Sequence, residues 1–209
     1  MELEGNLIDA AKRLGTSHVV KFSALGADPN SAMTLGRWHG KTQKQLEESG
    51  MAFTHLQPNV FTQNMLGFAE SIATQGVFYL PMKDGKVSMV DVRDIATVAV
   101  KVLTEPGHQG KTYVITGPEA LSYTEVAEKL SHAIGKKVTY VDVPPEGFKQ
   151  AMLQAGQPEW VADVLNELYE VLSAGHGSVV TNVVAEVAKK QPYSFDQFAK
   201  DYAQVFKGS

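Results

Sequence analysis

Up to about residue 116 the chain alternates apolar segments of helical period with short β-branched or aromatic runs, punctuated by glycine and proline. Leu3, Leu7, Ile8, Ala11 and Leu14 recur at helical spacing before Gly15, which predicts a helix over about 2–14. His18-Val-Val-Lys-Phe-Ser23 follows as a strand and runs into the turn-forming segment Ala24-Leu-Gly-Ala-Asp-Pro-Asn30. A second helix is expected over about 34–49, closed by Gly50, and Phe53-Thr-His-Leu-Gln57 is the next strand, stopped by Pro58. Helices between successive strands return the chain for parallel pairing, so the class is α/β.

The middle of the chain reads as a helix over about 65–74 and two short strands, 77–79 and 86–90. Lys83-Asp84-Gly85 lies between those strands and predicts a hairpin. Asp91 then stands as N-cap of a helix with Ile95, Val98, Ala99 and Val102 on its buried stripe. A strand at 111–116 follows, and Ser122 with Glu125 has capping-box spacing. One more strand is expected over 137–143, and helices over about 146–154, 159–173, 180–189 and 195–206 complete the chain. The reading is thus a parallel sheet over 1–122, with a hairpin insertion near 77–91, and a mostly helical lobe over 123–209.

Composition narrows the partners. Nineteen basic against 23 acidic residues give a net charge of −4 without a basic cluster, the opposite of a nucleic-acid footprint. The absence of cysteine removes disulfides, thiolate metal sites and cysteine nucleophiles. The most apolar stretch, 95–103, is broken by Lys101 and falls far short of a membrane span, and the acidic start lacks a signal-peptide n-region. A cytoplasmic protein with no membrane or nucleic-acid partner is expected. His18, His55, His108, His132 and His176 show no ligand spacing, so no metal is proposed.

Several segments, in order, carry a resemblance: Asn6-Leu-Ile-Asp-Ala-Ala-Lys12, His18 to Asp28, Gly36-Arg-Trp-His-Gly40, Phe53 to Asn64, Val90 to Ala96, Thr116 to Ser122 and Pro192 to Ala199. Together they resemble the NmrA-like branch of the atypical short-chain dehydrogenases over nearly the whole chain. The resemblance implies a Rossmann-like fold binding NADP or NAD. The family holds quinone, azo-dye and triphenylmethane reductases, and also a regulator that senses the dinucleotide without turning it over. In the family a strand, a Gly-x-x-Gly-x-x-Gly turn and further strands precede the helix that the segment 2–14 resembles. Gly175-His-Gly177 is the one Gly-x-Gly here, and it follows a helix. The expectation is a partial Rossmann-like sheet that keeps the nicotinamide and substrate side of a site and, lacking the phosphate-cradling turn, holds a dinucleotide weakly unless another chain completes it.

The resemblance also suggests site residues. Ser23 closes its strand where short-chain dehydrogenases place a hydroxyl that bonds the substrate carbonyl; a turn-forming serine is the alternative. His39 falls at the family's lysine and Leu35 at its tyrosine, so the usual acid is missing. His39 is then the group to bond a ribose or relay a proton, or a helix histidine that simply packs. Related sequences carry a glutamate three or four residues beyond the histidine position, where Thr42, Gln43 and Lys44 stand. Lys41 could reach a phosphate or be an exposed helix lysine, while Pro58, Asn59 and Phe61, with Asn64 as a weaker candidate, lie where the family's loop borders the nicotinamide. Phe148, Met152, Trp160, Leu165, Leu168 and Tyr169 sit at helical spacing and read as core, or as one wall of a substrate pocket. Two functions compete: an NAD(P)-dependent reductase of quinones or other aromatic acceptors, and a non-catalytic dinucleotide-sensing or assembly protein that dimerises through an exposed sheet edge near Val19 and Phe22. An inactive fragment of a longer gene product is a third.

Overall fold

The computed structural model describes residues 2–208. Helix α1 (Glu2–Arg13) carries Glu2 and Glu4 in its first turn and Lys12 and Arg13 in its last, charges that complement the helix dipole at both ends. It leads into β1 (His18–Phe22), α2 (Thr34–Glu48) and β2 (Ala52–Pro58). After a 3-10 segment (Thr62–Phe68) come α3 (Ala69–Gln75), β3 (Val77–Leu80), α4 (Val92–Thr104), β4 (Lys111–Ile115), α5 (Tyr123–Ile134) and β5 (Thr139–Asp142). The rest is helical: α6 (Pro145–Gln154), α7 (Glu159–Val171), a π-type turn (Leu172–His176), α8 (Val183–Ala188), α9 (Phe195–Asp201) and α10 (Ala203–Lys207).

The main sheet has the order β1-β2-β4 and is parallel throughout, with His18 opposite Ala52, Phe22 opposite Leu56 and Pro58 opposite Ile115. This is the α/β arrangement expected from the alternating pattern. Its crossovers contain α2 and α4, as parallel pairing requires.

The hairpin expected near 77–91 does not form. Strand β3 pairs in parallel with the distant β5, Val77 opposite Thr139 and Leu80 opposite Asp142. Residues 86–90 make only isolated bridges, Val87 to Leu121 and Val90 to Phe61. The Asp84-Gly85 turn serves another contact: a Cβ at Gly85 would stand 2.7 Å from the Ser173 Cα and 2.8 Å from the Leu172 carbonyl oxygen. Glycine is needed there for close approach of the chain end of α7, which competes with a two-residue hairpin turn. The helix expected over 180–189 begins only at Val183, because Thr181 donates from N to Thr116 Oγ1 at 3.0 Å and from its hydroxyl to the Val114 carbonyl at 2.7 Å. Those bonds tie the segment along β4. The last expected helix is interrupted at Tyr202, where α9 gives way to α10.

The two faces of the main sheet differ. One buries Leu56 and Ile115 against Ile95, Val98 and Val102 of α4 and Val184 and Ala188 of α8, a wholly apolar layer. The other meets α1 and α2 through polar side chains: Lys21 pairs with Glu4, Ser23 with Gln43, Gln57 with Gln43 and His55 with Glu47. Side chains alternate across a strand, so β1 and β2 serve both layers at once. A second, larger core surrounds β3 and β5 and draws on Met65, Phe78, Val87, Tyr123, Leu130, Phe198 and Phe206, residues from both sides of position 122. No helix among the described residues is long and apolar enough to cross a membrane, and no group of three or more metal-ligating side chains occurs among them.

Candidate functional site

A cavity of about 300 Å³ opens beyond the carboxyl ends of β1 and β2. Open parallel sheets place ligands at this end, where strands stop and loops diverge. Phe22, Ser23, Ala24 and Leu25 line it from the end of β1, and Pro58, Asn59 and Phe61 from the end of β2. Met33, the residue before α2, with Leu35 and His39 of α2, closes one side, and Leu168, Val171 and Leu172 close another. Two features hold α2 in place. Met33 caps α2 with no side-chain bond, and Glu167 of α7 supplies one instead, its Oε2 accepting from Thr34 N at 2.8 Å and its Oε1 from Thr34 Oγ1 at 3.1 Å. Further along, a Cβ at Gly40 would stand 2.1 Å from the Asp28 carbonyl carbon, so only glycine lets α2 press against the 24–30 loop that forms the cavity rim.

Of the residues singled out from the sequence, Ser23, His39, Pro58, Asn59, Phe61 and Asn64 share this cavity wall. Lys41 does not; it is exposed on α2 and outside the lining. Asn59 is buried, but its side chain is engaged. Its Nδ2 donates to Ser88 Oγ and to the Gly177 carbonyl, both at 2.8 Å, and its Oδ1 accepts from Val60 N. These bonds fix the loop and use both amide hydrogens, leaving the second lone pair of Oδ1 as the side chain's one remaining hydrogen-bonding position. Asp91 and Asp94 lie away from the cavity: Asp91 caps α4 through Arg93 N, and Asp94 accepts from Tyr193 N and pairs with Lys190 at 2.7 Å.

Ser23 is 2% exposed, and its Oγ accepts a 2.7 Å bond from Gln43 Nε2. His39 has a buried Nδ1 with no partner. Burial pushes the His39 imidazole below its ordinary range, and the nearby Lys21 ammonium pushes the same way while Glu4 opposes. His39 is therefore a neutral imidazole near neutral pH. Glu4 itself is raised by burial, but its hydrogen bond and charge attraction to Lys21 outweigh this and hold it below the usual carboxylate range.

Leu25, Met33, Val60, Val171, Leu172 and His176 also line the cavity and have no signature in the sequence. Leu168 was legible as a residue of core or pocket; it lines the cavity, whereas Phe148 and Tyr169 pack in the larger core and Trp160 is 61% exposed beside Trp38. His176 reaches the wall because the chain reverses at Gly175, with φ of 95°.

A cavity walled mainly by flat and branched apolar groups, with the buried Ser23 hydroxyl, the Asn64 amide and the imidazoles of His39 and His176 as its polar groups, fits an uncharged ring. No lysine or arginine lines it, so it offers a pyrophosphate no cationic side chain. The class so defined is a parallel α/β protein with a mainly apolar cavity at its strand ends. The profile of the NmrA-like family matches residues 1–199, and the chain belongs to that family. NAD(P)H azoreductase of Xenophilus azovorans is 45% identical over 206 residues, covering 99% of this chain and 72% of that protein. Quinone oxidoreductase 2 of Escherichia coli (strain K12) is 35% identical over 160 residues, 77% of this chain and 56% of that protein. Among solved structures, the NADPH-dependent quinone oxidoreductase of Escherichia coli superposes with a TM-score of 0.88 at 28% identity, covering 96% of this chain and 73% of that one. The same enzyme complexed with NADPH gives 0.87 at 29% identity, covering 95% and 70%.

Proposed function

We propose that the cavity is the ring site of an NAD(P)H-dependent reductase, taking the nicotinamide end of NADP or NAD beside a flat quinone or other aromatic acceptor. The observation that carries this reading is the apolar, ring-sized cavity at the strand ends with the Ser23 hydroxyl in its wall. Relatives named as an NAD(P)H azoreductase and a quinone oxidoreductase support the acceptor class. When bound, the dinucleotide supplies a hydride. Phe22, Leu35, Phe61 and Leu172 exclude water from the ring. Ser23 donates a hydrogen bond to the acceptor oxygen or azo nitrogen, stabilising the negative charge that develops there. His39, neutral in the folded protein, bonds a ribose hydroxyl or passes on a proton. Lys41, exposed on α2 and outside the lining, is the candidate carried by the resemblance for a phosphate that extends beyond the cavity. Calorimetric titration with NADPH and NADH, followed by dinucleotide oxidation with naphthoquinones and azo dyes, tests the proposal. It predicts measurable though weak dinucleotide binding, since the lining holds only the ring; no binding at millimolar dinucleotide contradicts it.

A second reading rests on β1, which stands at the end of the sheet order with Phe22 49% exposed. On this reading the chain is a non-catalytic, dinucleotide-sensing or assembly protein whose β1 edges pair in a homodimer. Light scattering decides: a monomer at high concentration removes it, and a dimer that binds dinucleotide without oxidising it favours it.

A further inference from the structure

The polar layer between β1, β2 and α2 contains a chain of bonds that ends at the cavity wall. Gln57 Nε2 donates to Gln43 Oε1 at 3.3 Å, and Gln43 Nε2 donates to Ser23 Oγ at 2.7 Å. Gln43 is 7% exposed and Ser23 2%, so water does not compete for these bonds. In this arrangement Gln43 spends a donor on Ser23, and the serine oxygen spends a lone pair. The hydroxyl hydrogen is left over, and Ser23 meets no acceptor for it among the described residues. A buried donor without a partner costs free energy until a ligand supplies the missing acceptor.

We propose that Gln43 is a positioning residue that sets the polarity of Ser23, turning its O–H outward so that the cavity selects ligands presenting a bare lone pair. The ligand class that follows is a quinone carbonyl or an azo nitrogen, in preference to a phenol or hydroquinone whose own O–H would face another donor. This inference rests on the cavity being the acceptor site. The opposite polarity is chemically definite. With both amides turned over, Ser23 would donate to Gln43 and offer lone pairs to the cavity, and the preference would reverse.

Gln43→Glu imposes that reversal, because an ionised carboxylate only accepts. The probes are 1,4-naphthoquinone, which only accepts, and 1-naphthol, which also donates; affinities are read by calorimetry. The proposal predicts that the wild type prefers the quinone, that Gln43→Glu weakens quinone binding about tenfold, and that naphthol binding is unchanged or tighter. Gln43→Leu, which leaves Ser23 free to rotate, should shift both probes by less than about threefold. Equal weakening of both probes in Gln43→Glu, or no change in either, would overturn it, since a merely structural role moves both alike.

A ligand-free measurement stands beside this one in case Gln43→Glu folds poorly. In the wild type, one side-chain amide proton of Gln43 should resonate downfield and exchange slowly, and Ser23→Ala should move that resonance while leaving the other side-chain amides in place. An unmoved resonance overturns the proposal whatever the probes do. Failure of the wild type to bind either probe at millimolar concentration would instead remove the acceptor-site reading, with the Gln43 resonance still judging the bond to Ser23.

Discussion

The two faces of the β1-β2-β4 sheet are built on different principles. Toward α4 and α8 the layer is apolar, and Leu56, Val98 and Ile115 are essentially inaccessible. Toward α1 and α2 the layer is a set of paired polar groups in which Lys21, Gln43 and His55 are each below 10% exposed. Burying polar groups costs free energy that hydrogen bonding only offsets, so the polar face is a weaker source of stability than the apolar one. Its bonds run to Ser23 and around His39, both in the cavity wall. The apolar face holds the sheet, and the polar face arms its end.

The sharpest way to break this comparison is to remove apolar volume. Leu56→Ala should cost about 2–5 kcal/mol in urea unfolding, through lost transfer free energy and the cavity left behind. It should leave probe affinity in the folded protein unchanged. A loss of affinity with little loss of stability would show that the two faces are not separable in this way.

Acid should act on the polar face. His39 and His55 are both held below their ordinary range, chiefly by burial; Lys21 adds to this in each, while Glu47 opposes it at His55 and Glu4 at His39. The unfolded chain then binds more protons than the folded one below about pH 6.5, so stability falls as pH drops through that value. Glu4 and Asp91, held low by Lys21 and Arg93 against the effect of burial, add a further loss only below about pH 4. Denaturation midpoints at pH 8, 6.5 and 5 check the order, and His55→Gln should flatten the first decline. A midpoint independent of pH between 8 and 5 contradicts neutral burial of the two histidines.

A smaller effect is expected at Lys21. Lys21→Met removes a buried ammonium whose partner, Glu4, is itself 40% exposed and can return to water, so stability should change by less than about 1 kcal/mol. The His39 titration midpoint, followed by NMR, should move upward toward that of a free imidazole as the cation is lost. Smallest of all is Lys41→Ala: on an exposed helix position outside the lining it should leave stability and ring-probe affinity unaltered, and any role is confined to weakening NADPH binding.

Much of the fold was legible because local chemistry and tertiary context agree. Ser122 and Glu125 form both bonds of a capping box, and Asp91 accepts at its helix start, as their places in the sequence predict. Where the two conflict, context wins. Asp84-Gly85 carries a hairpin signal, yet its glycine is consumed by contact with the chain just past α7, and the aromatic-rich run Val77–Leu80 finds β5 some 60 residues away. The cavity divides in the same way. Ser23, Pro58 and Phe61 stand at strand ends and can be placed from the sequence, whereas Leu172 and His176 reach the wall through the packing of α7 and its Glu167 bond to Thr34, 133 residues apart. No local pattern encodes that contact. Gln43 was visible only as a departure from the family's glutamate; its bond to Ser23 emerges when α2 is laid on β1.

Quinone-dependent oxidation of NADPH, measured for the wild type and for Leu35→Trp, tests the central claim most directly, because the added indole fills the cavity from α2, the helix that packs on the polar face. The account predicts turnover that requires 1,4-naphthoquinone in the wild type and is lost in Leu35→Trp, with circular dichroism unchanged. Equal rates in the two proteins would place the chemistry outside this cavity and contradict it.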